Sequence, residues 1–146
     1  LDKVGVLVLR KSNIKNIDFL KGKKSIEWLD LRDNQITDIS ALSSLKRLKK
    51  LFLSGNQIES IVDLSEIKHL RWVVIENNRV TNLWPLYNLT NLTDVMLHNN
   101  PLDSTKEKDK MNLAVINKIK NDGKNVVLNS IEINSIYQVE PSKKLD

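Results

Sequence analysis

Residues 29–36 read "LDLRDNQI", and 22 residues further on residues 51–58 read "LFLSGNQI". Leucine holds the first and third letters of both, and both end in Asn-Gln-Ile. The letters between them differ: Asp30 against Phe52, Arg32 against Ser54, Asp33 against Gly55. A strand sends successive side chains to opposite faces. A repeat that keeps one alternating set and varies the other therefore conserves one face of a sheet and leaves the second free.

Extended along the chain at the same period, the pattern starts at Val4, Ile26, Leu48, Leu70 and Leu92, with apolar residues at places 1, 4, 6, 11, 14, 17 and 20. The third unit, for example, supplies Leu48, Leu51, Leu53, Ile58, Ile61, Leu64 and Ile67. Through the first four units only Lys23 departs from this rule. Place 9 holds Asn34, Asn56, Asn78 and Asn100, with Ser12 in the first unit. The spacing matches the leucine-rich repeat, L-x-x-L-x-L-x-x-N-x-L. A single unit cannot bury its apolar side; stacked units bury it in one continuous column. An amide side chain donates and accepts at once, so the asparagine column is a structural device for buried turn backbone.

The expected fold is α/β: a right-handed leucine-rich-repeat solenoid with a parallel concave β-sheet, short 3₁₀ or irregular convex segments and a C-terminal helical cap. Return segments such as "QITDISALS" hold few strong helix formers, and Pro85 fits a segment that forms no ladder. Residues 1–103 form the repeats, 104–128 a helix-plus-strand cap, and 129–146 a tail or linker. Ser104 with Glu107 makes a capping box, Met111, Val115 and Ile119 recur at helical spacing, and Gly123 can end the helix. "NVVLN" then reads as a last strand. The opening "LDKVGVLVLR" lacks an initiator Met and a front cap, which points to a fragment of a longer protein.

If places 4 and 6 face the core, places 3, 5 and 7 line the concave face. Place 3 reads Val6, Trp28, Lys50, Trp72, Asp94; place 5 reads Val8, Asp30, Phe52, Val74, Met96; place 7 reads Arg10, Arg32, Ser54, Glu76, His98. Parallel strands lie about 4.8 Å apart. Trp28, Phe52, Trp72, Val74 and Met96 would then make one contiguous exposed apolar patch, of the kind that marks a binding surface. The expected partner-binding residues are Trp28, Asp30, Arg32, Phe52, Trp72, Val74, Glu76, Met96 and His98. Trp84, beside Pro85, is expected to pack between return segments on the convex side.

Composition narrows the function classes. The chain has 146 residues, 40% of them apolar and 28% charged, with a formal charge of +5 and no cysteine. That excludes a disulfide framework and thiolate chemistry, and it fits a reducing cytosol and a secreted bacterial protein alike. No apolar run nears the roughly 20 residues of a membrane span. There is no phosphate-binding glycine loop, and His98 with Asp94 makes neither a zinc site nor a catalytic triad. No cofactor, metal or enzymatic activity is therefore expected. "NLT" at Asn88 and at Asn91 gives two glycosylation sequons. Lys23, Lys24, Lys46, Arg47 and Lys68 end the return segments and Lys49 and Arg71 enter the strands, on the rim and not interleaved with the concave rings, which argues against nucleic acid.

The stretches "NQITDISALSSLKRL" and "LWPLYNLTNLTDVMLHNNPL" resemble the 22-residue repeats of bacterial internalins and internalin-like surface proteins over residues 4–102. The resemblance implies a non-catalytic module that recognises a protein partner through the concave sheet, within a larger bacterial surface or secreted protein. Three features depart from that family: Pro85 alone reproduces its return-segment proline, the helical front cap is absent, and the end reads as a helix. The alternatives are a scaffold or regulatory domain of a larger enzyme or toxin, and a cytosolic subunit like the repeat regulators of protein phosphatases.

Overall fold

The computed structural model describes residues 3–102, 107–123 and 125–127. Strands β1 (Val6–Val8), β2 (Trp28–Asp30), β3 (Lys50–Phe52), β4 (Trp72–Val74), β5 (Asp94–Met96) and β6 (Asn125–Val127) form one parallel sheet in chain order. Leu7 stands beside Leu29, Leu29 beside Leu51, Leu51 beside Val73 and Val73 beside Val95. Each place of the repeat therefore lies next to the same place in the neighbouring unit, through β5.

The strands are short because the chain turns sharply three residues after each one. Place 8 adopts a left-handed backbone in every unit: Lys11, Asp33, Gly55, Asn77 and Asn99 have φ of +49° to +72°. Asn, Asp and Gly are the residues that tolerate this region. At Gly55 an added Cβ would also run into the Asp33 carboxylate of the preceding unit.

Place 9 satisfies the backbone that this turn would otherwise leave buried. The Asn56 amide donates to the Leu31 and Leu53 carbonyls at 3.0 and 2.9 Å, and its oxygen accepts from the Ile36 N–H at 3.0 Å. Asn78 repeats the arrangement on Leu53, Ile75 and Ile58, and Asn100 on Ile75, Leu97 and Val80. Asn34 does so on Leu9, Leu31 and Ile14. Each asparagine thus ties its own strand end to the preceding unit.

Return segments form 3₁₀ turns at Asp18–Leu20, Ser40–Ser44, Val62–Glu66 and Trp84–Leu86. A second polar column, at place 13, starts each of them. Asn16 accepts from Asp18 N–H at 2.7 Å, Asp38 from Ser40 at 2.8 Å, Ser60 from Val62 at 3.3 Å and Asn82 from Trp84 at 2.9 Å. Short side chains that bond two residues ahead favour tight turns over a long helix. Between sheet and turns lies the core, in which Leu29, Leu31, Ile36, Leu51, Leu53, Ile58, Val73, Ile75 and Val80 have no exposed surface.

Helix α1 (Glu107–Asn121) closes this core where a fifth return segment would have stacked. Its buried side is Asn112, Val115, Ile116 and Ile119, whereas Met111 is 47% exposed. Val115 and Ile119 thus face inward as their spacing implies, and Asn112 rather than Met111 completes that side. Hydrogen bonding decides it: the Asn112 oxygen accepts from Leu83 N–H at 2.8 Å and its amide donates to the Thr81 carbonyl at 2.5 Å. Lys118 adds a bond to the Tyr87 carbonyl at 2.7 Å. Gly123, at φ +75°, ends the helix with its N–H on the Lys120 carbonyl at 3.0 Å. The capping-box serine at Ser104 and the tail 129–146 lie outside the described residues.

Candidate functional site: the outer face of the sheet

Because each strand is three residues long, its middle residue enters the core and its two ends face the other way. Trp28, Phe52, Val74 and Met96, with Trp72 packed against them, form an apolar cluster separate from the repeat core. Phe52 is its centre. The Trp28 ring stacks on it at 5.4 Å between centroids, and the Trp72 ring tilts against it at 6.4 Å. In the place-3 row Lys50 lies between the two indoles, with its ammonium 4.5 Å from Trp28 and 4.6 Å from Trp72. The Arg32 guanidinium sits 5.1 Å over the Phe52 ring. Cations over ring faces are attracted by the ring quadrupole, most strongly when water is kept away.

The place-7 row, with Asp30 of place 5 and Asp94 of place 3, carries the polar part. Asp30 and Arg32 form a buried two-point ion pair, with contacts of 2.9 and 2.6 Å. The Ser54 hydroxyl donates to Glu76, and both are buried. Asp94 accepts from the Thr93 hydroxyl at 2.8 Å, and His98 is half-buried at the row's end.

The face so assembled differs from an open apolar patch. Phe52 keeps 1% of its surface, Trp28 5%, and Val74 and Met96 none; only Trp72 is half-exposed within the cluster. One contribution is geometric. Rungs about 4.8 Å apart are closer than the width of an indole, so rings on neighbouring strands cover one another. Lys50 contributes too, although a charge-based reading of the sequence leaves it out of the site. Its position in the place-3 row between two tryptophans was the available signal.

On the opposite side, Trp84 is 43% exposed rather than packed away between return segments. It stacks on Tyr87 at 4.5 Å and edges a groove of about 390 Å³ whose walls include Val62 and Pro85. Among the described residues no helix is long and apolar enough to cross a membrane, and no group of three or more His, Cys, Asp or Glu could hold a metal ion.

These elements define a leucine-rich-repeat solenoid, a fold class built for protein interaction. Residues 24–66 match the family described as leucine-rich repeats in 2 copies. Among solved structures, an internalin (InlF) from Listeria monocytogenes is similar at 30% identity and a TM-score of 0.60, over 64% of this chain and 28% of that one. An internalin C2 (InlC2) of the same organism is 25% identical over 66% of this chain and 62% of its own, with a TM-score of 0.37. No curated protein matches the sequence. In its leucine-rich repeats the chain is similar to the internalins, and it spans little more than a quarter of the InlF chain.

Proposed function

We propose that the chain binds another polypeptide on the outer face of its sheet and catalyses no reaction. One observation carries the reading: a cluster of Trp28, Phe52, Trp72, Val74 and Met96 stands apart from the core, on the face that the repeat leaves free to vary. Aromatic anchors beside arginine are typical of binding hot spots. Asp30, Arg32, Glu76 and His98 would flank them and set specificity, with Trp72 as the most accessible anchor. The parent would be a bacterial surface or secreted protein, by likeness to the internalins.

A second reading has an observation of its own. Phe52, Val74 and Met96 are as inaccessible as core residues, which favours a face already closed within the parent protein, as in a scaffold domain of a larger enzyme or toxin. Capture by immobilised wild-type chain, followed by cross-linking and mass spectrometry, separates the two against Trp72→Ala. Partner binding requires a polypeptide that Trp72→Ala releases by about tenfold or more while unfolding at the same temperature. Equal capture by both proteins would leave only the closed face.

A further inference from the structure

Each return segment meets its strand at places 21, 22 and 2, on the edge of the sheet where the strands begin. The neighbouring units are locked in register there. Lys49 N–H bonds the Glu27 carbonyl, Arg71 N–H the Lys49 carbonyl and Thr93 N–H the Arg71 carbonyl, each at 2.8 Å. The Asn91 side-chain amide adds a bond to the Lys68 carbonyl at 2.9 Å. Place 21 therefore carries Lys24, Lys46 and Lys68 in a row, and Arg47, Lys49 and Arg71 stand beside it; all six are exposed.

We propose that this edge binds a linear sulfated polysaccharide through Lys24, Lys46, Lys68, Arg47, Lys49 and Arg71. The row advances about 4.8 Å per unit, so it presents charge of one sign at a regular interval along a line. A repeating polyanion matches that regularity. The acidic neighbours compensate only in part: Glu27 lies 2.8 Å from Lys49 and 3.9 Å from Arg47, and Glu66 lies 3.9 Å from Lys46. Exposed pairs of this kind are weak and screened by salt, so a polyanion can replace them.

Two other anionic partners fit less well. Single-stranded nucleic acid needs rings on which bases stack, and the block itself holds none; of the indoles beside it, Trp28 is 5% exposed, and the half-exposed Trp72 already packs on the Phe52 ring and the Lys50 ammonium. An anionic membrane needs apolar side chains to insert, but the exposed Phe19, Val62 and Trp84 belong to the return turns, and beside the block Val6 offers one small side chain at 39% exposure. The inference is independent of what the outer face of the sheet binds.

The test measures binding of a labelled heparin oligosaccharide, an oligo-dT, a poly-glutamate peptide and phosphatidylserine vesicles at about 0.15 M salt. Heparin should bind about tenfold tighter than the other three, with an affinity that falls steeply with salt. The triple substitution Lys24→Gln, Lys46→Gln, Lys68→Gln should weaken it about tenfold and flatten the salt slope. Lys11→Gln, Lys15→Gln, Lys120→Gln removes the same charge away from this edge and should change affinity by less than about twofold. Equal losses in the two triples, or tighter binding of any other probe, overturns the proposal. Unfolding temperatures of both triples, which alter only exposed side chains, verify that the fold is retained.

Discussion

Asn56 holds three backbone groups with one amide, and its role differs in kind from that of the exposed Gln57 beside it. Replacing Asn56 by leucine leaves the Ile36 N–H and the Leu31 and Leu53 carbonyls in a buried place without a partner. Unmade buried bonds cost more than made ones gain. Asn56→Leu should therefore lower unfolding free energy by about 3 kcal/mol in urea titration. Gln57→Leu should change it by no more than about 0.5 kcal/mol. A second test concerns pH. The Asp38 carboxyl is held below its ordinary value of 3.8, first by the Ser40 N–H and then by the Ser40 hydroxyl. A depressed folded pKa gives stability that is present above the unfolded value and is lost as pH falls through the folded one. Melts of wild type should thus lose stability below about pH 3.8 relative to Asp38→Asn. The variant keeps the accepting oxygen that Asn16 and Asn82 supply in their own turns, and it cannot titrate. Parallel wild-type and Asp38→Asn curves down to acid would contradict the assignment.

Helix α1 tests what an element's pattern can and cannot say. Its Val115 has no exposed surface and Met111 has 47%. Val115→Ala should cost about 2 kcal/mol, and Met111→Ala no more than about 0.5 kcal/mol, measured by chemical unfolding. Comparable costs would restore Met111 to the buried stripe. The helix and the inward turn of Val115 and Ile119 were legible from spacing, but Asn112 in place of Met111 was not. That choice depends on Asn112 reaching Leu83 and Thr81, and nothing in a single sequence pairs residues so far apart outside the repeat. The strands were legible for the opposite reason: identical intervals force identical neighbours. The place-13 column of Asn16, Asp38, Ser60 and Asn82 was equally visible in the letters, though it hid among ordinary turn residues. For the outer face, alternation told which residues share it. It did not tell that Trp28, Phe52 and Lys50 would close over one another, because accessibility depends on side-chain reach between rungs.

A solenoid is held by contacts between successive units, so its stability varies along its length. In the first unit Leu7, Leu9 and Ile14 are only half-buried, while their counterparts Leu51, Leu53 and Ile58 in the third have no exposed surface. Yet the strand hydrogen bonds are alike: Leu9 N–H meets the Asp30 carbonyl at 2.8 Å, and Leu53 N–H meets the Val74 carbonyl at 2.7 Å. Amide exchange can separate bond geometry from the cost of opening a unit, because local openings draw on different buried area. If burial governs, the Leu9 amide should exchange about tenfold faster than that of Leu53 at neutral pH. That gradient would leave the middle units, which carry Phe52 and Trp72, as the rigid support of the outer face. Equal rates at both amides, tracking global unfolding in denaturant, would instead mean that the repeats open as a single cooperative unit.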